Sequence, residues 1–431
     1  MKTLQKLSLV LVILLVASFG AMANPPTVTE PITIEIWHTR GSGANGDQIA
    51  AAVDEFNATN PYGITVVEVY QGNYVNTLAK TMQSLAAGTN PEMVVLERAA
   101  GVPVMATEGV LLDMIPYAER DGFELSNIPP VLLGYSYYND QLISLPYIRS
   151  TPVFFYNKGM FAEAGVTEAP KTMDELIEVA KKLTVVENGE TVVYGFELLN
   201  DPGWFVQNMT YQLGSNILSE DGLSVPALED GAMLKVLSAW REWVDGGYVA
   251  APTVTSAEST MKDLFNQGKI ASYFASSGGT TNILKNAKAA GIEVGVAFLP
   301  TWDIPAAPTG GGNVAIIQRN KNEQQMAAAW EFMKFLMSDE QAAKNAAATG
   351  YLPVTYGAAN TDIMKRLWDE QPEYKVAFDQ LSIAQELPWS PHKSEFEEVL
   401  KVVCSELIMD RRITAEQAVK TLKLEASVIF P

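Results

Sequence analysis

The residues able to do chemistry here are few, and their types narrow the possibilities. His38 and His392 are the only histidines and stand near opposite ends of a 431-residue chain, so neither an HExxH helix nor a local His/Cys metal cluster can be assembled from them. Cys404 is the single cysteine, which removes an internal disulfide, a CxxC redox pair and a zinc ribbon. We therefore expect no metal site. Arg40, Arg98 and Arg149 are three of nine arginines and fall at the ends of predicted strands, where a guanidinium can grip an anion or form an ordinary surface ion pair. The 30 Lys+Arg are outnumbered by 50 Asp+Glu, for a formal charge of −20. Nucleic acid is not expected as a partner, because its binding rests on clustered cations that release counterions.

The elements that must position these groups alternate in type. Lys2 and Lys6, the apolar run Leu9 to Ala17 and the small residues of Ala21-Met22-Ala23 read as a secretory leader cut after Ala23, too short in its apolar part to span a bilayer. No cysteine lies near the cut, so a soluble periplasmic chain without a lipid anchor is expected. Ile32 to Trp37 alternates in polarity and predicts a strand. Asp47 to Asn57 has helical spacing, Ile64 to Tyr70 predicts a second strand, Tyr74 to Ala87 a helix, and Met93 to Leu96 a buried strand. Capping boxes are expected at Thr172–Glu175, Ser338–Gln341 and Thr414–Gln417, and Phe396 to Met409 predicts an amphipathic helix with Cys404 inside. The fold class is α/β. Gly41-Ser42-Gly43-Ala44-Asn45-Gly46, with Glu68 beyond it, has the form of a dinucleotide fingerprint. In an exported protein we read it as a generic cleft loop instead, and expect no cofactor. A Walker A motif is also absent.

Several fragments occur in one order: Ile34-Glu35-Ile36-Trp37-His38, Tyr70-Gln71-Gly72-Asn73-Tyr74, Arg149 to Lys158, Ala275-Ser276-Ser277-Gly278, Gly310-Gly311-Gly312-Asn313 and Thr349-Gly350-Tyr351-Leu352-Pro353. Together they resemble the extracellular solute-binding proteins of ABC importers, and within them the members that bind glycerol phosphate. The resemblance implies a type II periplasmic binding protein fold, with two lobes closing on a small-molecule ligand. The lobes would be residues 31–147 with 300–350, and 148–299 with 351–431, with crossings near Pro146 to Arg149, Phe298 to Pro300 and Tyr351 to Pro353. Position by position, it implies ligand contact by Tyr74, Ser150, Ser276, Gly311 and Tyr351, and by Trp204 stacked on the ligand. From its residue type alone Trp204 also suits core packing.

Two positions depart from the pattern. Where the family places a glutamate for ligand hydroxyls, this chain has Arg98 with Glu97 beside it. Where it places a phosphate-binding arginine, this chain has His392-Lys393, which cannot reproduce a bidentate fork. Cationic groups at Arg149, Arg98 or Arg40 would then replace it. His38 and His392 map near the cleft, where they would contact ligand and make affinity depend on pH, or serve as capping and core groups. The resemblance thus implies a monomeric binding protein without catalysis, which delivers glycerol 3-phosphate, a glycerophosphodiester or a sugar to the membrane permease. The alternatives are a neutral oligosaccharide binder, and a secreted glycoside hydrolase with a carboxylate pair.

Overall fold

A computed structural model describes residues 25–198, 204–251, 257–386 and 388–430. The expected leader, 1–23, and residues 199–203, just before Trp204, lie outside the described residues. The ten strands of the two main sheets are, in chain order, β1 (Ile32–His38), β2 (Ile64–Tyr70), β3 (Met93–Glu97), β4 (Leu145–Ser150), β5 (Pro152–Asn157), β6 (Phe196–Glu197), β7 (Val249–Ala250), β8 (Ser272–Ser276), β9 (Val294–Ala297) and β10 (Gly310–Ile316). The first sheet has the order β2-β1-β3-β10-β4, and the second β7-β6-β8-β5-β9.

The local physics is that expected of each pattern. In β1 the alternation buries Ile34, Ile36 and His38 and leaves Thr33 and Glu35 exposed. Strands β1, β2 and β3 run parallel, whereas β10 is antiparallel to both β3 and β4. Helix α1 (Ala44–Thr59) buries Ile49, Val53 and Phe56 on one face. Helix α2 (Tyr74–Ala87) is capped by Asn73, whose side chain accepts from Asn76 N–H at 2.9 Å, and ends at left-handed Gly88.

Helix α3 (Met173–Leu183) has the expected reciprocal capping box of Thr172 and Glu175, and Thr414 with Gln417 forms another. Ser338 caps Asp339–Thr349 by accepting from Gln341 N–H, but the reciprocal bond expected of Gln341 is not made. Its side chain is drawn instead to the Glu55 carboxylate, a charged acceptor and therefore the stronger partner. Cys404 is buried in the helix Lys393–Met409 and its thiol pKa is pushed up by desolvation.

Only Thr151 separates β4 of the first sheet from β5 of the second, so the chain changes sheet there. The segment Pro146 to Arg149, anticipated as a crossing, is strand within the first sheet. The chain returns between β9 and β10. The third passage lies against β4, with Leu352 N–H donating to Arg149 O at 2.7 Å.

Glu197, at the end of β6, is 1% exposed, and neither carboxylate oxygen has a hydrogen-bond partner among the described residues. Burial pushes its pKa up from 4.5 to about 8. The folded protein thus keeps the proton up to about pH 8 while the unfolded chain releases it near 4.5, so stability falls as pH rises through that window. Glu197→Gln is expected to raise the melting temperature by about 5 °C at pH 8.5 and hardly at all at pH 4.5. Equal shifts at both pH values would contradict this account.

Candidate functional site

The sheets face one another across a cavity of about 640 Å³. Seven of the twelve candidate residues line it: Tyr74, Glu97, Ser150, Trp204, Ser276, Gly311 and Tyr351. Their elements explain the convergence. Glu97, Ser150 and Ser276 end β3, β4 and β8, Tyr74 opens α2, Tyr351 follows Asp339–Thr349, and Trp204 is the residue before α4 (Phe205–Gln212). Strand ends and helix starts on one rim are where α/β folds present ligand-binding groups.

Glycines seat the aromatic rings. A methyl group at Gly310 would lie 1.8 Å from Cζ2 of Trp204, and one at Gly278 would lie 2.3 Å from Cε1 of Tyr351. The indole therefore rests directly on the β10 backbone, and the phenol on the turn after β8. Since Trp204 leads into α4 beside the second sheet while Gly310 belongs to the first, this contact spans the cleft. Gly311 at φ 89° is left-handed, a conformation that favours glycine.

The cavity wall contains charges that were not anticipated. Glu258, Glu397 and Glu398 join Glu97, whereas Lys393 is the only basic residue among those lining the cavity. Lys393 is itself engaged, with Nζ 2.5 Å from Glu397 Oε1. Glu97 accepts from Ala99 N–H at 2.8 Å, and Glu258 pairs with Lys262 at 2.5 Å. Phe205 and Leu78 add apolar surface. The Lys393–Glu397 pair has the i, i+4 spacing of a helical salt bridge and was legible in the sequence, but its direction toward the cleft was not.

The other five candidates lie elsewhere. Arg149 is completely buried: Nη2 donates to Glu386 Oε1 and to Thr309 Oγ1, both at 2.6 Å, Nη1 to Leu132 O at 2.7 Å, and Nε to Gly310 O at 3.0 Å. Burial lowers its pKa. Arg98 is buried too, with Nη1 3.3 Å from Glu386 Oε2, Nη2 donating to Thr309 O, and its guanidinium 5.1 Å from the centre of the Tyr135 ring. Both arginines are thus consumed by one carboxylate rather than turned to the cavity. Arg40 is buried behind Tyr351.

His38 Nδ1 accepts from Arg40 N–H at 3.1 Å and Nε2 lies 2.5 Å from Glu68 Oε2, which fixes the ring as a structural group. Desolvation lowers its pKa and favours the neutral imidazole. His392 sits at the N-cap of Lys393–Met409, its ring edge-on to Phe430 at 5.8 Å. The Gly41–Gly46 turn, expected to line the cleft, contributes no lining residue. It closes on itself, so a methyl at Gly46 would be 2.1 Å from Gly41 O.

Two mixed sheets, joined by three passages and enclosing an aromatic and polar cavity, define a two-lobed solute-binding protein. The chain belongs to the bacterial extracellular solute-binding protein family, whose profile matches residues 51–374. It is 28% identical over 397 residues to the sn-glycerol-3-phosphate-binding periplasmic protein UgpB of Escherichia coli O1:K1, covering 87% of this chain and 86% of that one. Among solved structures it is similar to UgpB from Mycobacterium tuberculosis in complex with glycerophosphocholine, with TM-score 0.81 and 23% identity over 93% of this chain and 98% of that one. The cyclic α-maltosyl-1,6-maltose binding protein of Arthrobacter globiformis matches with TM-score 0.76 and 20% identity, covering 93% and 99%. The fold is that of the type II periplasmic binding proteins. No helix among the described residues is long and apolar enough to cross a membrane.

Proposed function

We propose that this protein is the substrate-binding component of an ABC import system and that its solute is a glycerophosphodiester with a cationic head, held between one lobe of residues 31–150 with 310–350 and a second of 151–309 with 351–431. The observation that carries the reading is the convergence of seven candidates on one cavity, five of them from the collinear fragments. Tyr74, Trp204 and Tyr351 offer aromatic faces to a glycerol backbone or an ammonium group, and Ser150 and Ser276 offer hydroxyls to oxygens. Glu258, Glu397 and Glu398 suit a cationic head and disfavour a free phosphate dianion. The E. coli and M. tuberculosis relatives, by their names, bind glycerol 3-phosphate and glycerophosphocholine respectively.

Export with cleavage after Ala23 would deliver a monomer, without lipid, to the periplasm and its permease, and the protein holds its solute without transforming it. Thermal-shift measurements with glycerophosphocholine, sn-glycerol 3-phosphate and maltose test the reading. A ligand at 100 times its Kd stabilises the fold by about 2.7 kcal/mol. Glycerophosphocholine is expected to give the largest shift and to be recovered intact after prolonged incubation. A shift with maltose alone would favour the oligosaccharide reading suggested by the Arthrobacter neighbour, and turnover of any of the three would overturn the binding-protein assignment.

A further inference from the structure

Arg40 is a buried cation that lacks a carboxylate. It is 3% exposed, and no Asp or Glu among the described residues lies within 4 Å of it. One corner of the guanidinium is held by neutral groups: Nη1 donates to Gln48 Oε1 and Asn345 Oδ1, both at 2.8 Å, and to Tyr147 OH at 3.1 Å. Nε and Nη2 have no hydrogen-bond partner among the described residues. Arg98 and Arg149, by contrast, share Glu386. A buried charge without a counter-charge is strongly destabilising.

Its location indicates where that charge acts. The guanidinium carbon stands 5.8 Å from the centre of the Tyr351 ring, and Tyr351 lines the cavity. Tyr74, a second lining residue, is bonded to Thr39, the residue just before Arg40. One aromatic ring therefore separates the cation from the ligand space. Of the lining carboxylates, Glu97 acts on Tyr74 and accepts from Ala99 N–H, Glu258 acts on Tyr351 and is paired with Lys262, and Glu397, paired with Lys393, lies with Glu398 on the helix Lys393–Met409.

We infer that Arg40 is the specificity-determining positive pole of the cavity, acting through Tyr351 and Tyr74 to hold the anionic group of the solute, which in turn supplies its missing counter-charge. Arg40 is a positioning residue, since it need not touch the ligand. The inference rests on the proposed phosphate-bearing ligand. It also explains how a chain of charge −20 captures an anion: the overall field repels it, and a local buried cation offsets that repulsion.

The prediction is graded by ligand charge. Through a medium of effective dielectric constant near 20, loss of one unit charge about 12 Å from the anionic group, beyond the intervening ring, costs about tenfold in affinity per unit of ligand charge. Titration calorimetry at pH 8 compares sn-glycerol 3-phosphate (about two negative charges), glycerophosphocholine (one phosphodiester charge beside its cation) and maltose (none) with wild type, Arg40→Met and Arg40→Lys. In Arg40→Met the affinity is expected to fall about a hundredfold for glycerol 3-phosphate, about tenfold for glycerophosphocholine, and less for maltose. Arg40→Lys restores most of each loss. An equal loss across the three probes, or no rescue by lysine, overturns the inference. Absence of phosphate-ester binding by the wild type overturns the proposed function, shows before any variant is made, and removes the anion assigned to Arg40. If Arg40→Met does not fold, Arg40→Gln provides the uncharged variant.

Discussion

Gly310→Ala is expected to weaken ligand binding about a hundredfold while leaving the fold intact. The added methyl would lie 1.8 Å from Cζ2, 2.6 Å from Cε2 and 2.9 Å from Cη2 of Trp204, all atoms of a rigid ring that cannot bend away. Either the indole leaves its seat or the lobes stay apart. Overpacking of this kind costs about 1–3 kcal/mol by itself, and the displaced indole also gives up the ligand contact proposed for it. The coupling can be isolated: in a Trp204→Ala background, where the ring is gone, Gly310→Ala should add almost nothing. Additive losses in the double variant would show that Gly310 acts through some other contact. Small-angle scattering distinguishes the two outcomes of the clash, because a wedged cleft keeps the liganded protein as extended as the free one.

Glu386→Gln is expected to give the largest loss of stability of any single change at the site. Its Oε1 accepts from Arg149 Nη2 at 2.6 Å and from Thr309 Oγ1, and its Oε2 lies 3.3 Å from Arg98 Nη1. Removing its charge leaves two buried guanidiniums without the carboxylate they share. Breaking a buried pair in this way costs about 3–5 kcal/mol, because the stranded charges have been taken out of water. For a chain of this size that corresponds to a melting temperature lower by about 4–6 °C. A fall of less than 2 °C would mean that the guanidiniums are compensated elsewhere, with Glu97 the first group to test. The network joins Arg98 and Arg149, next to and on strands of the first sheet, to the segment Ala384–Gln385 and its neighbour Glu386, which follow the third passage. The same substitution should therefore also alter ligand affinity, more by changing lobe closure than by any direct contact.

Much of this architecture was legible in the chain. The strand at Ile32, the helix at Tyr74 and the boxes at Thr172 and Thr414 follow from periodicity and capping, which act over a few residues and need no tertiary context. The bond at Ser338 shows the limit of that logic. Its partner Gln341 had a better acceptor in Glu55, distant in sequence and near in space. The six collinear fragments placed Tyr74, Ser150, Ser276, Gly311 and Tyr351 on one cavity. The arginines and histidines resisted the same treatment, because a charged residue at a strand end suits a cleft, a surface pair or a buried network equally well.

The sequence by itself determined the family, the two-sheet plan and the set of polar and aromatic residues available to a ligand, since these are carried by local patterns and their order. Only the tertiary structure decided which of two neighbours faces the cavity. Glu97 lines the cavity and Arg98 does not, Ser150 does and Arg149 does not, Lys393 does and His392 does not. Each decision turns on one position. Successive side chains on a strand point to opposite faces, and one residue along a helix turns the side chain by about 100°, so a one-residue shift exchanges a place on the cavity wall for one in the packed interior. That phase is fixed by packing against residues far away in the chain, such as Glu386, and no local pattern records it.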